Sequence, residues 1–245
     1  MQIKHFIIWL FFVFSTLSPE KKDHSLNEAL IQIDKAFVLG KFNYKTDTNF
    51  IKVDPKYSSK EIYLNMEVYE AFIEMYDHAE KDGISLKIIS GTRNFSEQKA
   101  IWERKWVKYT YLEPKERAEK ILEYSSMPST SRHHWGTDLD LNSLNNSYFN
   151  GGKGKSEYEW LKANANNFGF YQVYTEKSIG RTGYNLEKWH WSFLPLASKY
   201  LDFYNKNIEY SDIRGFKGDT LASEMKMIHN YVNGLSKKVK GYKSE

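Results

Sequence analysis

Two hydrophobic periods stand back to back in this 245-residue chain, and together they constrain its fold more than any other feature. Between Glu61 and Asp82, Met66, Tyr69, Ile73, Tyr76 and Ala79 recur at steps of three and four, the spacing of one helix face. Gly83 then supplies a helix stop, and Ile84, Leu86 and Ile88 alternate as a half-buried strand over Ile84–Ile89 requires. The switch from period 3.6 to period 2 recurs downstream. Helices are expected over Leu26–Leu39 (ended by Gly40), Ser96–Trp106 and Pro114–Tyr124, and again after Pro195. Strands are expected over Thr137–Asn142, Phe170–Tyr174 and Trp189–Phe193. Asn142–Lys155, rich in Asn, Ser and Gly, reads as a surface loop. Ser156-x-x-Glu159 then reads as a capping box opening a helix that carries Leu161, Ala165 and Phe168 and stops at Gly169. No internal repeat is visible. The sum is an α+β fold, with helices packed on a small, mainly antiparallel sheet.

The length fits one domain with modest extensions. With 41% hydrophobic and 27% charged residues, the chain is neither wholly disordered nor a multi-spanning membrane protein. Seven Trp and 18 Tyr can fill a core or line a groove; Trp102 and Trp106, at helical spacing, read as core. The net charge of +4, from 35 Lys and Arg against 31 Asp and Glu, is too small and too mixed for a nucleic-acid partner. Cysteine is absent, which excludes disulfide staples, thiolate metal sites, a cysteine nucleophile and a lipoprotein anchor.

The N-terminus reads as an address. Lys4-His5 precedes an uncharged run from Phe6 to Phe14, and Ser15-Thr16-Leu17-Ser18-Pro19 follows. Those are the parts of a secretory signal, and the run falls short of the roughly 20 apolar residues that span a bilayer. Residues 1–18 are therefore expected to be a signal peptide cleaved near Ser15–Pro19, leaving no stable membrane insertion. An N-terminal extension over 19–57, a domain over 58–206 carrying the chemistry and a helical C-terminal extension over 207–245 complete the organisation. Lys237, Lys238, Lys240 and Lys243 give that extension a basic tail, read as a frayed solvated end.

The chemistry concentrates in two short stretches. Ser131-Arg132-His133-His134-Trp135-Gly136-Thr137-Asp138-Leu139-Asp140 puts imidazoles at the mouth of a strand and two carboxylates, Asp138 and Asp140, on one face of it. Glu187-Lys188-Trp189-His190 brings a further carboxylate and imidazole together. Two imidazoles and one carboxylate, with a position left for water, form a catalytic zinc set. Glu187 and His190 are three apart and would point to opposite faces of an extended strand, so Glu187 is expected in the turn before the strand. Trp189 and Trp191 are expected to pack beneath the site, and Trp135, in the turn between two ligands, to form a substrate wall.

Ser-x-His-x-x-Gly-x-x-x-Asp followed by Glu-x-x-His resembles the VanY-type D-alanyl-D-alanine carboxypeptidases. These are zinc peptidases of bacterial peptidoglycan, related to L,D-carboxypeptidases and L-Ala-D-Glu endopeptidases. The resemblance runs from about Glu61 to Tyr200 and includes Ser90-Gly91-Thr92-Arg93 with Gln98 downstream. It implies that His133, Asp140 and His190 bind Zn2+ and that Glu187 is the catalytic base. It implies further that Arg93 contacts the scissile carbonyl or the substrate's terminal carboxylate, with Gln98 and Ser131 helping to hold that end. One departure is Asp138, where the family usually carries a small apolar residue, often Ala; matching the motif favours Asp140 as the ligand. His134 aligns with no ligand position. The implied protein is an exported, cell-envelope carboxypeptidase, periplasmic or extracellular, removing a terminal D-alanine from peptidoglycan stem peptides. An endopeptidase of the stem peptide and a non-catalytic zinc-bearing wall-binding module are the alternatives.

Overall fold

The computed structural model of the chain describes residues 33–243. The proposed signal and residues 26–32 of the first expected helix lie outside the described residues. The rest of that helix is α1 (Lys35–Val38), capped by the Asp34 carboxylate accepting from the Phe37 N–H and followed by Gly40 in the left-handed region. After it come β1 (Phe50–Lys52), β2 (Tyr63–Asn65), α2 (Met66–Lys81), β3 (Ile88–Ser90), α3 (Phe95–Lys108) and α4 (Pro114–Leu122). The second half adds β4 (Asp138–Leu141), α5 (Gly152–Asn164), β5 (Phe170–Gln172), β6 (His190–Phe193), α6 (Leu194–Asn207), α7 (Leu221–Glu224) and α8 (Lys237–Lys240). Strands β1 and β2 pair as an antiparallel ribbon, and the main sheet, in the order β3-β4-β6-β5, is antiparallel throughout. The expected α+β architecture is the observed one.

Several boundaries differ, each for a local reason. The helix expected from Glu61 starts at Met66, because Tyr63–Asn65 pairs with β1 and the Asn65 side chain caps the helix by accepting from the Glu67 N–H. The strand expected over Ile84–Ile89 pairs only from Ile88 onward. The glycine-rich stretch read as loop already contains the start of α5, so Ser156 lies inside a helix rather than at its cap. Gly154 makes this possible: a Cβ there would run into the backbone of Tyr148, so only glycine lets α5 press against the 3-10 turn Asn146–Asn150. The basic tail is not frayed. Lys237–Lys240 is helical with Val239 buried, and the ring of Tyr242 meets Tyr171 edge-on at 5.5 Å.

The main sheet separates two apolar clusters. Leu139, Leu141, Trp191 and Phe193 project from β4 and β6 into one of them, together with Val68, Phe72 and Met75 of α2. The other holds Trp102, Trp106 and Trp135, residues of α6, and the C-terminal Ile213, Met227, Val232 and Val239. Each fully buried aliphatic or aromatic side chain contributes about 1.5–3 kcal/mol, so the face carrying Leu139, Leu141 and Trp191 fixes the register of β4 and β6. A slip of one residue would drive Asp138 and Asp140 into hydrocarbon. The opposite face of these strands therefore carries Asp138, Asp140, His190 and Ser192 together.

Candidate metal centre

Register assembles the site. Asp140 on β4 stands directly opposite His190 on β6 and Ser90 on β3, and Asp138 stands opposite Ser192. His133 arrives from the 3-10 turn Arg132–Trp135, which Gly136 ends with a positive φ of 71°. A side chain at Gly136 would strike the Phe50 ring, so the turn between the histidines and the strand needs glycine twice over. Metal-ligating atoms of His133, Asp140 and His190 lie within 4.8 Å of one another, and all three residues are buried. His133 Nε2 is 3.4 Å and His190 Nδ1 3.1 Å from the same atom, Asp140 Oδ1.

The remaining ring nitrogens show that this donor set suits a cation. Nδ1 of His133 donates to the Gly91 carbonyl at 2.8 Å, which leaves Nε2 with its lone pair toward Asp140. Nε2 of His190 donates to Asp138 Oδ1 at 2.9 Å, which turns Nδ1 the same way. Each imidazole is thus pinned by an oxygen acceptor on its far side, the arrangement that orients histidine ligands around a metal. Burial works against charge on His190, but the hydrogen bonds to Asp138 and Asp140 outweigh it and hold its pKa up at about 9. Burial likewise opposes ionisation of Asp140, yet the two imidazoles pull its pKa well below the usual carboxylate range. An ion entering at Nδ1 takes the place of a proton there.

Asp138 does more than share a face with Asp140. Its Oδ1 also accepts from Arg132 Nε at 3.0 Å, and its Oδ2 accepts from the hydroxyls of Thr137 at 2.6 Å and Ser192 at 3.0 Å. Arg132 and Asp138 form a buried ion pair, their side chains 1% and 0% exposed. All of the Asp138 lone pairs are committed away from the metal position, and Asp140 is the carboxylate that faces it.

Glu187 lies in the turn before β6, where the spacing argument placed it, with its Oε2 3.6 Å from His190 Nδ1. Its backbone is held on both sides: its N–H donates to the Tyr174 carbonyl at 2.9 Å and its carbonyl accepts from Gln172 Nε2 at 3.1 Å. Burial pushes its carboxyl up to about 8; the nearby Asp140 adds to this, while His190 and Arg93 work against it. A dication held by the neighbouring donors would bring it down again. Asn146, which no sequence pattern marks, fastens this turn by donating to the Leu186 carbonyl at 2.7 Å and accepting from the Lys188 N–H at 3.0 Å.

Arg93 enters from the segment after β3. Its Nη1 is 3.9 Å from Asp140 Oδ2 and donates to Ser90 Oγ, while its Nε donates to Gln98 Oε1 at 3.1 Å. The two histidines hold its backbone: its N–H donates to the His133 carbonyl at 3.0 Å, and its own carbonyl accepts from His134 Nδ1 at 2.7 Å. His134 Nε2 in turn accepts from the Ser129 N–H at 3.1 Å, and burial pushes its pKa down to about 3. His134 is therefore a neutral pin between two loops. Ser131 Oγ is buried beside these groups with no protein hydrogen-bond partner.

His133, Asp140, His190, Glu187, Arg93, Gln98 and Ser131 face a cavity of about 560 Å³, whose outer wall includes Ile101, Lys105, Tyr124, Leu144, Asn145 and Trp189. That volume suits a short peptide or drug-sized molecule. Trp135 does not line it. The Trp135 indole is buried in the apolar cluster that holds Trp102 and Trp106, with its Nε1 donating to the Val38 carbonyl at 3.0 Å. The cavity's aromatic lining is Trp189 with Tyr124, whose ring centroids are 6.1 Å apart, together with Tyr174 and Tyr184. Trp191 alone of the pair flanking His190 sits in the core beneath.

Comparison with known proteins agrees with the motifs. The family model described as VanY, D-alanyl-D-alanine carboxypeptidase, matches residues 61–196. A D-alanyl-D-alanine carboxypeptidase of Enterococcus faecium is 31% identical over 136 residues, which cover 55% of this chain and 39% of that protein. One from Enterococcus faecalis (strain ATCC 700802 / V583) is 29% identical over 130 residues, covering 51% and 46%. The chain thus spans less than half the length of the curated relatives it matches. Among solved structures, VanYB in complex with D-alanine-D-alanine is similar in fold at 22% identity and a TM-score of 0.50, over 68% of this chain and 93% of that one. The LD-carboxypeptidase LdcB is similar at 21% identity and a TM-score of 0.51, over 79% and 78%. Since the matched family model takes in more than half of its residues, the chain belongs to the VanY family of D-alanyl-D-alanine carboxypeptidases.

Proposed function

We propose that this protein is a zinc-dependent carboxypeptidase that removes the terminal D-alanine from peptidoglycan stem peptides by attack of water. The observation that carries this reading is the convergence of His133 Nε2, Asp140 Oδ1 and His190 Nδ1, with the Glu187 carboxylate next to them and a peptide-sized cavity in front. His133, Asp140 and His190 would hold Zn2+, which when bound supplies a dication that acidifies water and polarises a carbonyl oxygen. Glu187 is not needed as a ligand. Its carboxylate takes the proton from the attacking water and passes it to the departing amine nitrogen, which otherwise leaves poorly.

Arg93 supplies N–H donors for the terminal carboxylate of the peptide or for the oxyanion that develops at the scissile carbonyl. Gln98 accepts from Arg93 with its Oε1 and donates to the Ser126 carbonyl at 2.8 Å with its Nε2, so it serves the substrate by orienting the guanidinium. Ser131 Oγ, buried without a protein partner, is ready to meet a carboxylate oxygen. A cationic inner end of this kind favours release of a single terminal residue over internal cleavage, and the complex of VanYB with D-alanine-D-alanine supports the same substrate class.

Such a substrate lies outside the cytoplasmic membrane, which accords with export by residues 1–18, to the periplasm or the exterior. Among the described residues no helix is long and apolar enough to cross a membrane. Incubating the mature protein with defined tri-, tetra- and pentapeptide muropeptides, with and without chelator, tests the reading by mass spectrometry. Chelator-sensitive loss of one D-alanine is expected. Release of a longer peptide would make the protein an endopeptidase, and binding without any cleavage would make it a wall-binding module.

A further inference from the structure

The cavity holds a cation that the proposed reaction does not use. Gln98, Ile101 and Lys105 all line it from α3, at steps of three and four that put them on one helix face. Gln98 fixes the inner end through Arg93. Lys105 stands seven residues farther along, about 10 Å at the helical rise of 1.5 Å per residue. An extended peptide advances about 3.3 Å per residue, so that span corresponds to about three residues of substrate.

Lys105 is half-buried, and its ammonium donates to Ser125 Oγ, a neutral group that also lines the cavity. Among the described residues no carboxylate lies within ion-pair distance of it. Other lysines do have such partners, among them Lys35 with Asp212 at 2.9 Å and Lys115 with Glu224 at 2.9 Å. Arg104, next to it in sequence, also lines the cavity and adds positive charge at the rim. A partly desolvated ammonium without a counter-ion in a ligand cavity costs free energy that a ligand carboxylate would recover.

We propose that Lys105 forms a second carboxylate subsite, selecting stem peptides that carry a carboxylate two or three residues before the scissile bond in addition to the terminal one. This deepens the carboxypeptidase reading and rests on it. Two groups in such peptides have that chemistry: a third-residue side chain ending in a carboxylate, as in diaminopimelate but not lysine, and the free α-carboxylate of a γ-linked D-glutamate.

The test uses four synthetic pentapeptides ending in D-Ala-D-Ala, with diaminopimelate or lysine at the third position and D-glutamate or its α-amide at the second. Turnover is measured with the zinc-loaded protein, and binding by calorimetry with the Glu187→Gln protein, so that a missing reaction and a missing subsite give different results. KM and Kd are expected to be about 5- to 10-fold lower for the peptide with the extra carboxylate, the size of one partly desolvated ion pair. Lys105→Met should bring that ratio to about one, and Lys105→Glu should invert it in favour of lysine or amide peptides. Preference following the third residue assigns the subsite to the diamino acid; preference following the second assigns it to D-glutamate. Equal KM and Kd for all four peptides, or a ratio unchanged in Lys105→Met, would overturn the proposal. Failure of every peptide to release D-alanine would instead strike at the carboxypeptidase reading, while the calorimetric ratios would still decide the subsite.

Discussion

Asp138→Asn separates two tasks that one buried carboxylate performs. The substitution keeps an oxygen able to accept from His190 Nε2 and Arg132 Nε, and it removes the negative charge opposite a guanidinium whose side chain is 1% exposed. Breaking a buried ion pair by removing one partner costs about 3–5 kcal/mol. Because the amide retains part of the hydrogen bonding, a loss of about 2–3 kcal/mol is expected here. For a chain of this length each kcal/mol moves the unfolding midpoint by about 2–4 °C. The second task concerns the metal. Replacing the carboxylate behind a metal-ligating imidazole by an amide lowers the basicity of the ligand, and mutation of such an outer partner costs about 10- to 100-fold in affinity, or about 1.4–2.7 kcal/mol. The assays are a chelator competition for zinc affinity and thermal unfolding of metal-free and zinc-loaded protein. The zinc-loaded variant should lose more stability than the metal-free one by the amount of affinity lost. The double variant Arg132→Met, Asp138→Ala removes both charges; it should regain most of the metal-free stability and still bind zinc weakly. Wild-type zinc affinity in Asp138→Asn, or a double variant that regains stability and affinity together, would refute the claim that the Asp138 carboxylate supports His190 as a ligand and reduce it to a counter-ion for Arg132.

Glu187→Gln should retain zinc and lose nearly all hydrolysis. It should also raise the stability of the metal-free protein: a carboxyl whose folded pKa is pushed up to about 8 weakens the fold progressively from about pH 4.5 to pH 8, by on the order of 4 kcal/mol at the top of that window, so the variant's advantage in urea melts should grow with pH and vanish below pH 4.5. Arg93→Ala should fold and bind zinc while kcat/KM falls by about 10²- to 10³-fold, measured by D-alanine release. His134→Ala should cost about 2–4 kcal/mol in chemical denaturation, since it abandons the Arg93 carbonyl and the Ser129 N–H in a buried site.

The candidate metal-binding set was legible because its spacing encodes local geometry. A histidine before a glycine turn and an aspartate on the next strand meet through a few residues of chain, and Glu187 and His190 meet through a single turn. The groups that hold them were not legible, because their partners are far away in sequence. Asn146 fastens a turn about 40 positions away, and His134 clamps a carbonyl 41 positions before it. Asp138 did carry a signal, an acid where the family places a small apolar residue, but its four hydrogen-bond partners depend on β6 lying alongside. Trp135 was misplaced because its indole packs into the core and donates to the Val38 carbonyl 97 positions before it, a partner that position between two ligands does not reveal. The short strands β2 and β3 were blurred for another reason. Three residues barely establish an alternation, and the neighbouring helix pattern overwhelms it.

The far end of the chain is wired to the turn that carries Glu187. Ser236 donates through its N–H to the Val173 carbonyl and through its hydroxyl to the Gln172 carbonyl, each at 2.9 Å, and the Gln172 amide holds the Glu187 carbonyl. Shortening the protein before residue 236 would therefore do more than trim a tail: it would bare the outer edge of β5 and slacken the support of a carboxylate some 50 positions upstream. Purification handles and fusion partners placed here need a spacer beyond residue 243, or the tether itself disturbs the turn that holds Glu187.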